Sequence, residues 1–160
     1  MDSIHDIIKL PPLEKRKTTT SVQVHEFEKK YGPIPDDYKS YLFNIGHGMI
    51  GKYLVLFSPH IDWEIKMELC RESFQMAIEE KMLPENFFND KLVFGATIDN
   101  HWLFFDFSQK KTEIVILDCM DKVHRYHGGL YTFLVCVLNR PDTFGFAMNR
   151  SSDKLDFDVM

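Results

Sequence analysis

The residues with the most obvious chemical potential form a glycine loop, Gly46-His47-Gly48-Met49-Ile50-Gly51-Lys52-Tyr53. It spells GxGxxG and also GxxxxGK, with tyrosine where a phosphate-binding loop carries the serine or threonine that holds magnesium. Those loops leave a strand and open a helix, so that free amides and the positive helix end face the phosphates. Here a helical pattern precedes and a β-prone run follows, so a phosphate would meet the wrong end of the dipole. The loop reads as a helix-to-strand turn, and no nucleotide or other cofactor is expected. His124 and His127 are spaced HxxH with Asp121 nearby. On a strand such a pair points to opposite faces, and on a helix no HExxH-type neighbour supplies a third ligand, so no metal is expected either. His47, His60 and His101 read as turn or surface residues. No GxSxG elbow exists, and Cys70, Cys119 and Cys136 lack a nucleophile signature. Triads assemble in space rather than in sequence, so a small hydrolase with a dispersed site stays open as an alternative.

Most of the acids, among them Asp36, Asp37, Glu79, Glu80, Glu85, Asp90, Asp118 and Asp121, read as solvated surface. Asp106 differs. In the run Trp102 to Phe107, strand parity puts Trp102, Phe104 and Asp106 on one face and Leu103, Phe105 and Phe107 on the other. The second face is core. The first sets two large aromatics beside a carboxylate, the mixture of a recognition surface, unless a helix or the C-terminal tail covers it. The candidate partner-binding set is therefore Trp102, Phe104 and Asp106, with Asp99 and Asn100 at its edge.

The elements that position these residues can be read in order. Met1 to Ser21 predicts a short helix and a linker, with Pro11-Pro12 and the basic cluster Lys15-Arg16-Lys17. Thr20 and Gln23 form a capping box for a helix carrying Val24, Phe27 and Tyr31, stopped by Gly32-Pro33. A second helix starts at Pro35 with Asp36 and Asp37 in its first turn, buries Tyr38, Tyr41, Leu42 and Ile45, and ends at Gly46. Lys52 to Phe57 is a buried strand. A long helix with Asp62 as cap carries Trp63, Met67, Cys70, Phe74 and Ala77 and ends near Leu83, before Pro84. Lys91 to Ala96, Trp102 to Phe107 and Glu113 to Asp118 are joined by connections too short for crossovers, which predicts an antiparallel meander, extended by Val123 to Tyr126. Leu130, Phe133, Leu134, Val137 and Leu138 mark a last amphipathic helix. The expected fold class is α+β, a single domain over residues 22–140, preceded by the 1–21 extension and followed by an irregular tail, 141–160.

Of the 160 residues 44% are hydrophobic, enough for a core without disulfide or metal staples. No apolar run approaches the roughly 18 residues of a membrane span. The acidic opening Met1-Asp2-Ser3-Ile4-His5-Asp6 is unlike a secretory signal. Three cysteines without CxxC spacing fit a reducing, cytoplasmic setting. A net charge of −5 disfavours nucleic acid as partner.

The stretch Phe27-Glu28-Lys29-Lys30-Tyr31-Gly32-Pro33-Ile34-Pro35-Asp36-Asp37-Tyr38-Lys39-Ser40-Tyr41-Leu42, followed by Asn44-Ile45-Gly46-His47-Gly48, resembles the opening of the SUKH superfamily. That family shows an acidic helix, a glycine, a Leu/Ile-Pro step, an acid, a tyrosine-bearing helix and an Asn-Gly-rich turn. Val93-Phe94-Gly95, Asp99-Asn100 and Trp102 to Asp106 are similar to its later strand pair, and Leu130 to Leu138 to its closing helix. The resemblance spans roughly Val22 to Leu138 and implies a non-enzymatic, protein-binding module. Bacterial members are typically immunity proteins that neutralise a cognate toxin, often a nuclease, and fungal members regulate cell-wall synthesis. An acidic binder suits a basic nuclease, because opposite potentials speed encounter and select the partner.

Overall fold

The computed structural model describes residues 3–58, 63–149 and 153–160. Its elements run α1 (Ile4–Ile7), β1 (Ile8–Lys9), α2 (Ser21–Tyr31), α3 (Asp36–Asn44), β2 (Gly48–Ile50), β3 (Leu54–Leu56), α4 (Trp63–Ser73), α5 (Gln75–Glu79), β4 (Lys91–Thr97), β5 (Trp102–Asp106), β6 (Glu113–Leu117), β7 (Val123–Tyr126), α6 (Leu130–Asn139) and β8 (Leu155–Val159). The fold is α+β. The strands form one sheet in the order β1-β8-β2-β3-β4-β5-β6-β7. Every pairing is antiparallel except the two-residue parallel contact of β1 with β8.

Local signals account for most of these boundaries. The Thr20 hydroxyl accepts from the Gln23 amide at 3.2 Å, and the Gln23 side chain accepts from the Thr20 amide at 2.9 Å, so α2 opens on a reciprocal capping box. Gly32 ends it with φ of 101°. Asp37, in the first turn of α3, accepts the Leu130 amide and so caps α6 across the fold, where the N-cap residue Gly129 has no side chain to do so. The meander is antiparallel as expected, with Trp102 opposite Leu117 and Asp106 opposite Glu113. Both faces of the sheet are covered. Leu92, Phe94, Leu103, Phe105, Ile114 and Ile116 pack with buried residues of α1, α2, α3 and α6. Val93, Trp102, Phe104, Val115 and Leu117 pack with α4, α5 and the Phe87-Phe88 segment.

Three elements depart from the sequence expectation. The C-terminal tail is not irregular. Its end, β8, enters the sheet between β1 and β2, with Leu155 and Phe157 buried and Asp156 and Asp158 exposed. Phe157 occupies the space above Gly48, where a Cβ would come within 2.3 Å of its ring. Secondly, the glycine loop holds a strand of its own. Gly48–Ile50 pairs with both β3 and β8, and the turn to β3 uses consecutive positive φ values at Gly51 and Lys52, so the strand expected from Lys52 begins only at Leu54. Thirdly, the long helix breaks at Phe74 into α4 and α5. The Ser73 hydroxyl donates to the Leu69 carbonyl at 2.8 Å, a back-bond that bends helices at this point, and α5 stops at Glu79 rather than near Leu83. The expected cap Asp62, like His60, lies outside the described residues. No helix among the described residues is long and apolar enough to cross a membrane.

Candidate binding surface

Parity placed Trp102, Phe104 and Asp106 correctly on one face, but that face is interior. Trp102 is 9% exposed, and Phe104 and Asp106 are fully buried. The physical reason is the α4–α5 cover. Met67, Cys70, Phe74 and Ala77 lie over this side of the sheet, and Phe87 and Phe88 bring their rings to 6.2 and 5.9 Å from Phe104. The proposed recognition surface is therefore a second core. Asp99 and Asn100 sit in the β4–β5 turn, with their side chains turned back on the fold. Asp99 accepts from Tyr53 Oη at 2.6 Å and Thr97 Oγ1 at 2.5 Å, and Asn100 Oδ1 accepts from Trp102 Nε1 at 2.9 Å.

Asp106 is the centre of an ion network. Arg125 Nη1 donates to it at 3.0 Å and to Glu113 at 3.2 Å, the Ser108 amide donates at 2.9 Å, and Lys91 Nζ stands at 3.8 Å. Burial pushes the Asp106 carboxyl up, yet the hydrogen bonds from Ser108 and Arg125 and the charge of Lys91 outweigh it and hold the group below the ordinary range. Lys91 is also lowered, but by burial. Burial lowers its ammonium more than Asp106 raises it. The carboxylate beside the aromatics thus closes the end of the sheet instead of meeting a partner.

The histidines separate in space. His124 Nε2 lies 2.7 Å from Asp118, while His127 Nδ1 lies 3.0 Å from Glu113. Among the described residues no three metal-ligating side chains converge. His101 Nδ1 makes a second His–Asp pair, 3.2 Å from Asp99. Each pair ends against a phenylalanine of the C-terminal segment, His124 on Phe144 and His101 on Phe146. Neither imidazole bonds a serine, threonine or cysteine side chain among the described residues. Cys70 is fully buried, and burial raises its thiol far above the ordinary range, which removes it as a nucleophile. In the glycine loop, the amides of Gly46, His47 and Gly51 donate to the carbonyls of Tyr41, Lys17 and Asp156. Gly46 is required there: its φ is 86°, and a Cβ would come within 2.2 Å of the Lys17 carbonyl oxygen. His47 is buried and accepts the Ser58 amide at 3.2 Å.

What sequence reasoning missed is the outside of the cover. Ile65, Leu69 and Met76 are 56%, 50% and 69% exposed, spaced i, i+4 and i+11, and Met82 follows at 54%. The signal was present, since Ile65, Leu69 and Met76 each follow a stripe residue, Trp63, Met67 and Phe74, by two positions, which turns them to the far side of a helix. Around them, residues 63–85 carry six glutamates against three basic residues. Two of these charges are already occupied: Glu64 pairs with Lys30 at 2.6 Å and accepts from Tyr31, and Lys66 lies over the Phe57 ring at 4.5 Å. Glu68, Glu72, Glu79 and Glu80 remain exposed beside the apolar stripe. Compared with family models, with curated proteins and with solved structures, the chain matches none.

Proposed function

We propose that the chain is a non-enzymatic protein-binding module of the SUKH type, an immunity protein that sequesters a basic toxin through the outer face of α4 and α5. One observation carries this reading: exposed Ile65 and Leu69 on α4, Met76 on α5 and Met82 just beyond it, set among glutamates, on helices whose inner side is already committed to core. Contiguous exposed apolar side chains with a charged rim are the composition of an interaction site. The glutamate excess selects a cationic partner and steers its approach. The three cysteines are free, in keeping with the cytoplasm where an immunity protein meets its toxin. A regulatory scaffold of the cell-wall type would use the same face for several partners.

The test is association of the purified chain with the product of the adjacent reading frame. The reading expects a one-to-one complex that forms more slowly as salt rises. Leu69→Ala and Met76→Ala should accelerate dissociation, with a loss on the order of 2 kcal/mol for a central anchor. Unchanged kinetics in both variants move the interface off α4–α5. Several unrelated partners of similar affinity favour the scaffold.

A further inference from the structure

The sheet ends on one side in the two-residue β1 and on the other in β7, which pairs only with β6. The direction of the β7 backbone groups follows from its register. The Asp118 amide donates to the Lys122 carbonyl at 2.9 Å, and Leu117 lies opposite Val123. Closely and widely spaced bond pairs alternate along an antiparallel ladder, so His124 and Tyr126 exchange bonds with β6, whereas the amides and carbonyls of Val123 and Arg125 point away from it. Among the described residues no group bonds to these outward amides and carbonyls. Little guards them. β7 holds no proline, and its pairing with β6 is free of bulges. Arg125, the charge that would project along the edge, is drawn back across β6 to Asp106 at 3.0 Å. Val123 beside it is 40% exposed.

We propose that the β7 edge is an interface between two copies of this chain, paired strand to strand about a two-fold axis. An edge strand that meets its own symmetry copy in one sheet is antiparallel, the geometry β6 and β7 already share. The register that pairs residues 122–126 along their full length sets His124 opposite His124 of the second copy and Val123 opposite Arg125. The outward amides and carbonyls of each copy then meet those of the other. Lys122 faces Tyr126 across the axis, and Asp121 comes level with His127. The charges favour a copy over a charged peptide, because they are balanced within each chain: Arg125 by Asp106 and Glu113, and His124 by Asp118. A neutral edge neither repels itself nor selects an acid or a base. The edge is separate from the outer face of α4 and α5, so either reading can fail alone.

The test is sedimentation velocity of the full chain over a dilution series, with amide hydrogen exchange followed by NMR at both ends of the series. A monomer–dimer equilibrium with Kd at or below about 100 μM is expected, and weaker association overturns the proposal. In the concentrated sample the Val123 and Arg125 amides should exchange severalfold more slowly than in the dilute one, while those of His124 and Tyr126, bonded to β6, are protected equally in both. Val123→Pro removes an outward amide and no bond to β6. It should weaken the dimer at least about tenfold, since two symmetry-related hydrogen bonds go with it. A dimer whose Val123 and Arg125 amides exchange as they do in the monomer, or a folded Val123→Pro variant that dimerises like the wild type, overturns the proposal and places any association elsewhere. Where Val123→Pro does not fold, the exchange comparison on the wild-type chain decides.

Discussion

Behind one face of the sheet, the ten-residue α6 contributes five buried side chains, Leu130, Phe133, Leu134, Val137 and Leu138. In front of the other, the eleven-residue α4 buries Met67 and Cys70 and turns Ile65 and Leu69 to solvent. The two helices cover the same strands from opposite sides, yet α6 is a structural element consumed by packing, whereas α4 is amphipathic in both directions. A helix that packs with one stripe while exposing a second apolar stripe retains hydrophobic surface that its own fold does not use. The aromatic face of β5 is buried by this cover, and the outer side of the cover carries the exposed apolar residues on which the proposed interface rests.

The largest test of this comparison uses neighbours on opposite faces. Phe104→Ala and Phe105→Ala should each destabilise the protein by about 3–5 kcal/mol, measured as urea midpoints, because both rings are buried to the same degree. A much smaller cost for Phe104 would mean that the α4–α5 side is loosely held.

Somewhat smaller is the loss of Asp106, which leaves the largely buried Lys91 without its counter-charge, and Asp106→Ala should cost about 3 kcal/mol. The pH dependence follows from the sign of the shift. The folded-state carboxyl is held below its unfolded value, so its stabilisation is complete above about pH 4 and is lost as pH falls through the folded pKa. Urea midpoints of the wild type should therefore decline more steeply on acidification below about pH 4 than those of Asp106→Ala. Parallel declines would place the acid sensitivity in Asp99 and Asp118, whose carboxyls are lowered in the same direction.

The smallest effect sharpens the contrast between the two sides of α4. Leu69→Ser should change stability by no more than about 0.5 kcal/mol, because the side chain is half exposed. A cost above about 2 kcal/mol would show that Leu69 belongs to the core.

How far the sequence speaks for the structure depends on the range of the interaction involved. The capping box of Thr20 and Gln23 and the antiparallel pairing of β5 with β6 rest on neighbours a few residues apart, and both are legible. Parity on β5 is also local, and it sorted Leu103 and Phe105 from Trp102 and Phe104. What covers a face is a long-range fact. Nothing in Trp102 to Asp106 specifies that Phe74, Phe87 and Phe88 will lie over it, and so a buried face was read as a surface. The charged partners of Asp106 come from two other strands, Lys91 from β4 and Arg125 from β7, and Arg125 is shared with Glu113 of β6. The strand β8 was missed for another reason. Leu155-Asp156-Phe157-Asp158-Val159 alternates plainly, but its neighbours in the sheet, Ile8 and Gly48–Ile50, are more than 100 residues away in sequence.

The buried state of the Trp102 face is the claim on which the rest depends, and it can be read by tryptophan fluorescence. The chain has two tryptophans, so Trp63→Phe leaves Trp102 as the sole reporter. With Trp102 only 9% exposed and its Nε1 bonded to Asn100, the account predicts a blue-shifted emission that acrylamide quenches weakly until the protein is unfolded in urea. Emission and quenching in the folded protein close to those of free tryptophan would contradict it and return the Trp102, Phe104 and Asp106 face to the surface.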